Sequence, residues 1–271
     1  MLHNIMNNLL LGIRGTLHSL TFPLRAEAML GRKIMACVFT IGERSEEDCI
    51  ESVKRQSLPV HRIEVVRDVS PISAASNRAL DLAADADYLL WVDADMVLHR
   101  DCAMRLLRLM REDVLYALAP LRDPVFGLVG YIKLLNMHIV REHGLRFRDV
   151  LGCDMDMFDQ AQRLCISPQT FTFPRFSLGV HHPTYTAREL FRKCQIQRKK
   201  RGNRLSPRLI DNLVKKYHAT QNPVLLAGIL GELLPNPDPS SGESLHGSGL
   251  MNWDRVRGVL GDVPEDLTYG F

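Results

Sequence analysis

Tyr88-Leu89-Leu90-Trp91-Val92-Asp93-Ala94-Asp95 decides the fold. Five apolar or aromatic residues in a row read as a strand buried on both faces, which points to a parallel sheet covered by helices. Working outward, Lys33 onward alternates short apolar runs with helix-period segments, the pattern of an α/β chain. Ile34–Thr40 is expected as the first strand. Ser45–Gln56 is expected as a helix, with Ser45 as N-cap and Glu46, Glu47 and Asp48 in its first turn. A second strand is predicted over Arg62–Arg67, a helix over Ser73–Ala83, another over Cys102–Arg111 and a strand over Val114–Pro120. The stretch from there to His143 reads as less regular.

The 271 residues are 46% hydrophobic and 24% charged, enough to bury one sizeable core with appended segments. A net charge of +3 is too mild for a nucleic-acid-binding face, while an anionic small ligand fits it. Six cysteines without any CxxC spacing indicate neither a zinc site nor a disulfide framework, so a reducing cytoplasm is the expected location. No run reaches the roughly 18 apolar residues of a membrane span, and no signal peptide is read at the N-terminus. Residues 5–30 suit an amphipathic helix with Leu9, Ile13, Leu17 and Leu20 on one side. Two readings stay open for it, packing on the protein's own domain and docking on a membrane surface.

In open α/β sheets, ligands bind beyond the carboxyl ends of the strands. Thr40, Glu43, Asp68, Asp93 and Asp95 all fall at such ends. Side chains two apart on extended backbone share a side, so Asp93 and Asp95 can enter one site. Hard carboxylate oxygens suit Mg²⁺ or Mn²⁺, which would bridge them to a diphosphate. The same spacing also suits a strand-end turn in which Asp95 caps the next segment.

Met35–Leu107 resembles the nucleotide-binding half of family 2 glycosyltransferases: a first strand, an Asp-bearing second strand, an Asn-bearing helix and an Asp-x-Asp follow in order. The resemblance implies a GT-A fold, with a mostly parallel Rossmann-like sheet flanked by helices. It also implies a nucleotide-sugar donor, a divalent metal and a hexosyltransferase-type reaction with inversion. On that similarity Asp95 contacts the metal, and Asp93 holds ribose or a metal-bound water. Thr40 and Glu43 would cradle the nucleoside, Asp68 would read the base, and Asn77 matches the helix Asn. Arg67 and Val69 depart from the common VVDDGS pattern, and Ser76 stands where an Arg is common.

A second acidic cluster, Cys153-Asp154-Met155-Asp156, opens a helix-like run toward Arg163, where either acid suits a helix N-terminus. It resembles the family's (E)DxDL segment, which makes Asp154 the general base that takes the acceptor hydroxyl's proton. Asp156 would orient the loop or an acceptor hydroxyl, and Cys153 replaces the frequent Glu. His181 and His182, after an expected strand over Phe176–Val180, offer one further metal ligand, with a plain loop position as the other reading.

The expected organisation is a helical extension over 1–32, a catalytic domain over 33–190 and a basic, helical region over 191–271. The catalytic domain divides into a nucleotide-binding part, 33–111, and an acceptor part, 112–190. The Pro/Gly/Ser-rich 235–249 reads as a flexible linker. The basic run 192–208 reads as a solvated face, a lid over the diphosphate or an anionic-membrane contact, the last favoured slightly by apolar Val224–Leu234. The partner expected first is a UDP-sugar, with a glycan, lipid-linked or protein acceptor left open. Two other functions fit the same features: a sugar-phosphate nucleotidyltransferase, which would want a Gly-rich Arg/Lys loop after the first strand, and a silent sugar-nucleotide-binding scaffold.

Overall fold

A computed structural model describes residues 31–150, 153–171, 177–181, 184–234, 253–261 and 263–270. The expected N-terminal helix, His182 and the 235–249 linker lie outside them. Two compact units result. One comprises the described chain up to Arg122 together with Leu128–His181; the other comprises Asp123–Gly127 and the described residues from Thr184 on.

The first unit is a mixed α/β sandwich around a mostly parallel sheet. Its strands are β1 (Ile34–Thr40), β2 (Arg62–Arg67), β3 (Tyr88–Asp93), β4 (Met96–Leu98), β5 (Val114–Asp123), β6 (Gly127–Asn136), β7 (Ser167–Phe171) and β8 (Gly179–His181). They lie in the order β2-β1-β3-β6-β5-β8-β4, with β7 also paired to β5. β1 runs parallel to both β2 and β3, and β5 parallel to β7 and β8. β6 is antiparallel to β3, and β4 to β8.

Alternation along each strand divides the apolar residues between two faces. Met35, Cys37, Phe39, Leu89 and Trp91 pack under α2 (Ile72–Leu82), α4 (Met137–Glu142) and α5 (Cys153–Arg163). Ile34, Ala36, Val38, Leu90 and Val92 pack under α1 (Glu46–Lys54) and α3 (Cys102–Leu109). Every residue of β1 is buried, between β2 and β3.

β6 occupies the stretch read as less regular. Gly127 and Gly130, both at positive φ, punctuate its first half and mask the strand pattern. Ser45 is indeed the residue before α1, but its hydroxyl makes no capping bond and donates instead to the Ala94 carbonyl at 3.0 Å.

The second unit has its own core, built from α6 (Ala187–Lys200), α7 (Pro207–Thr220), α8 (Val224–Leu233), α9 (Trp253–Leu260) and the paired strands β9 (Thr184–Thr186) and β10 (Thr268–Gly270). Thr186 and Glu189 form a capping box at the start of α6. The apolar run read as favouring a membrane is α8. It packs closely on α6, because a Cβ at Gly231 would lie 2.5 Å from the Phe191 carbonyl. The apolar side of α8 is therefore core, and the membrane reading loses its support. Nor is the basic run a uniform solvated face. Arg198 is buried and donates to the carbonyls of Asn203 (3.0 Å) and Glu232 (2.7 Å). Arg201 pairs with the fully buried Glu232 carboxylate, which also accepts the Ser206 N–H at 2.7 Å. Among the described residues no helix is long and apolar enough to cross a membrane.

Candidate active site

Because β1, β2 and β3 run parallel, Thr40, Asp68 and Asp93 emerge at one edge of the sheet. The Asp-x-Asp turn is pinned at three backbone points. The Ala94 N–H donates to the Phe39 carbonyl (2.8 Å), Ser45 Oγ donates to the Ala94 carbonyl (3.0 Å), and Cys49 Sγ donates to the Asp93 carbonyl (3.6 Å). Burial, then the charges of Asp93 and Asp95, pushes the Cys49 thiol up to about 12, so it stays a proton donor here.

Asp93 ends β3 with Trp91 donating its indole N–H to Oδ1 at 3.2 Å. The chain then turns at 94–95 rather than continuing extended, so the same-side argument for the pair does not apply as the sequence suggested. Asp95 instead reaches across to β8, where its Oδ2 lies 3.5 Å from His181 Nε2. Both groups are well covered, with side chains 15% and 10% exposed. The register of β4 against β8, which opposes Met96 to His181, brings them together. The two acids still feel each other: Asp93's carboxyl sits above its ordinary value, first through burial and then through Asp95's charge. Lys133, the Trp91 N–H and His181 act in the opposite sense.

Lys133 was not legible as a site residue. It lies opposite Trp91 in the β3–β6 ladder, its ammonium 5.2 Å from the centre of the indole ring and 3.4 Å from Asp154 Oδ2. Trp91 in turn stacks on Phe39 at 4.2 Å and meets Phe147 at 5.3 Å. The available signal was one charge inside the apolar ten-residue run of β6. Asp154, in the first turn of α5, is thus linked to the Asp93 side of the site, and its side chain is 46% exposed. That exposure leaves its carboxylate open to solvent.

The remaining candidates are engaged in local structure. Thr40 is buried, its hydroxyl oxygen 2.9 Å from Glu43 Oε2 and 2.7 Å from Glu46 Oε2; it gives its one proton to either and accepts the Gly42 N–H at 3.0 Å. Glu43 also accepts the Ile41 N–H at 2.8 Å, and Glu46 pairs through both oxygens with Arg67. Arg67, the departure from the second-strand pattern, therefore serves an acid on α1. Asp68 stands exposed in the left-handed region at φ 53°, with its N–H on the Thr40 carbonyl. Asn77 spends its amide on Phe147, donating to its carbonyl at 2.8 Å and accepting its N–H at 3.0 Å. Asp156 accepts from Arg148 through both oxygens and from Gln160 at 2.8 Å, which holds its carboxyl below the usual range and makes it a loop anchor.

Among the described residues no three His, Cys, Asp or Glu side chains converge tightly enough to enclose a metal unaided. Mg²⁺ typically takes one or two carboxylates, with water and phosphate oxygens completing its shell. Asp95, beside His181, and Asp93 are the acids that could join such a partial donor set; burial first and then Asp95's charge raise Asp93, and a cation would relieve the second.

No protein-family model matches the chain, and no curated protein matches it in sequence. Similar solved structures include glucosyl-3-phosphoglycerate synthase from Mycobacterium tuberculosis in complex with Mg²⁺ and UDP, at 15% identity and TM-score 0.41, covering 78% of this chain and 83% of that one. A glycosyltransferase involved in glycosylation of the major capsid of PBCV-1 is similar at 11% identity and TM-score 0.37, covering 55% and 93%. The 4-diphosphocytidyl-2C-methyl-D-erythritol synthase of Anaerococcus prevotii is similar at 10% identity and TM-score 0.40, covering 55% and 92%. None of the three reaches a TM-score of 0.5.

Proposed function

We propose that the protein is an inverting glycosyltransferase that moves a sugar from a nucleotide-diphosphate donor, a UDP-sugar first among them, to an acceptor hydroxyl. One observation carries the reading: Asp154 on α5 is joined through Lys133 and Trp91 to Asp93 at the tip of β3, with Asp95 and His181 paired nearby. Asp95 and Asp93, with His181 beside them, would hold Mn²⁺ or Mg²⁺. Bound there, the ion supplies charge stabilisation for the departing diphosphate. Asp154 takes the proton of the acceptor hydroxyl as its oxygen bonds to the anomeric carbon and the bond from that carbon to the diphosphate oxygen breaks. Inversion requires the base to stand apart from the leaving group, and Asp154 lies on a different element from the metal acids. Asp68, exposed beyond β2, would read the base, while Thr40, Glu43 and Asn77 shape the surrounding loops.

A thermal-shift screen of nucleoside diphosphates and nucleotide sugars, with and without Mn²⁺, tests this. A ligand at about 100 times its Kd adds roughly 2.7 kcal/mol of stability. The expected result is stabilisation by UDP or a UDP-sugar only when Mn²⁺ is present. Stabilisation solely by a nucleoside triphosphate with a sugar phosphate would overturn the assignment in favour of nucleotidyl transfer.

A further inference from the structure

The position of Lys133 gives it a role beyond filling space between two acids. Its ammonium is anchored on one side by Asp154 at 3.4 Å and lies over the indole whose N–H holds Asp93. At that length, and with side chains 19% and 46% exposed, the ion pair is a weak one. A lysine held so loosely, on a flexible stem, can be drawn toward whichever carboxylates are more negative. Asp93, held by that indole's N–H, is the competing attraction, and a divalent ion bound beside it repels the same ammonium. His181, beside Asp95, is the other ionisable group facing them from β8.

We propose that Lys133 is a positioning residue that links the base to the cation site: Asp154 retains its ammonium away from Asp93 and Asp95, and so makes room for a divalent ion there. The inference rests on the assignment of those acids to a metal. Asp154 touches no metal in this arrangement, yet it strengthens metal binding by holding back a competing charge. Metal binding in turn drives Lys133 more firmly onto Asp154, because coupling between two sites is reciprocal.

A double-mutant cycle read by Mn²⁺ binding alone, followed by electron paramagnetic resonance, tests the link without needing a donor or acceptor. Lys133→Met should bind Mn²⁺ more tightly, roughly tenfold for removal of one positive charge near the site. Asp154→Asn should bind it severalfold more weakly, and that loss should vanish in the Lys133→Met background. Lys133→Arg, which keeps the charge, should bind within about twofold of the parent. Thermal unfolding of each variant identifies any that fails to fold, and Lys133→Gln is the replacement should the Met variant do so. An Asp154→Asn loss that persists in the double variant, or a Lys133→Met affinity equal to or below the parent's, overturns the link. Asp95→Asn separates the two levels of inference. If it binds Mn²⁺ as well as the parent, the metal assignment itself falls. If it loses binding while the cycle shows no coupling, only the role of Lys133 falls.

Discussion

Asp93 carries a conflict that the fold tolerates: its carboxylate is covered by protein, faces a second acid, and has its proton affinity raised as a result. An acid that binds its proton more tightly when folded takes up protons on folding. Stability from it is therefore present below the ordinary carboxylate range, declines as pH rises through the window up to the folded value, and stays lower beyond. Asp93→Asn removes the charge and keeps an oxygen for the Trp91 N–H. At pH 7 the metal-free variant should unfold about 2–4 °C above the parent, the shift that 1 kcal/mol produces in a chain this size. The gap should close as pH falls toward about 4. Calorimetry across that range checks both points, and the variant should gain nothing from added Mn²⁺. Asp93, Asp95 and Asp154 stand out in the sequence as candidates because strand ends and helix starts are places where acids recur with local physical reasons. Lys133 was not, since its importance comes from pairing with Trp91 across a ladder that only the fold creates. Asn77 was read toward a donor, while tertiary structure turns both ends of its amide to the Phe147 backbone.

At the scale of elements, β4 and β8 are three-residue strands whose close approach sets the distance between Asp95 and His181. Gly179 permits that approach, because a Cβ there would lie 2.6 Å from the Val97 carbonyl oxygen and 3.0 Å from Leu121 Cδ2. Backbone on one side and a packed leucine on the other leave little to yield. Gly179→Ala should cost about 1–3 kcal/mol, as overpacking in a tight site does. It should also weaken Mn²⁺ binding by shifting His181 from Asp95. A fall in unfolding temperature without any change in Mn²⁺ affinity would show that His181 contributes nothing to the ion. The parallel core of β1, β2 and β3 could be read from apolar runs alone, whereas β6 could not. Its first half, Gly127–Tyr131, is largely exposed and broken by two glycines, so no period announces a strand until it enters the core at Ile132. Charge composition likewise hid the destiny of the 192–208 run, where buried Glu232 recruits Arg198 through its carbonyl and Arg201 through its carboxylate.

For the whole molecule, the division into two units does not follow one cut along the chain, since Asp123–Gly127 belongs with the residues from Thr184 on. Val125 is fully buried in the second unit's core, Asp123 accepts the Tyr185 hydroxyl at 2.6 Å, and Asn212 donates to the Val125 carbonyl at 2.6 Å. A chain ended after His181 keeps the turn between β5 and β6 but loses the described residues that cover it. Such a truncation should aggregate, and Val125→Ser with Phe126→Ser should at least double the fraction that remains monomeric by size-exclusion chromatography. Equal solubility of the two truncated chains would show that the tip is not the exposed liability. The turn between β5 and β6 leaves no mark in composition. During synthesis the same feature sets a schedule. Tyr185 emerges 62 residues after Asp123, a delay of about 3–12 s at ordinary elongation rates. Over that interval the nascent hairpin presents Val125 and Phe126 to the ribosome's surroundings, where holding chaperones act.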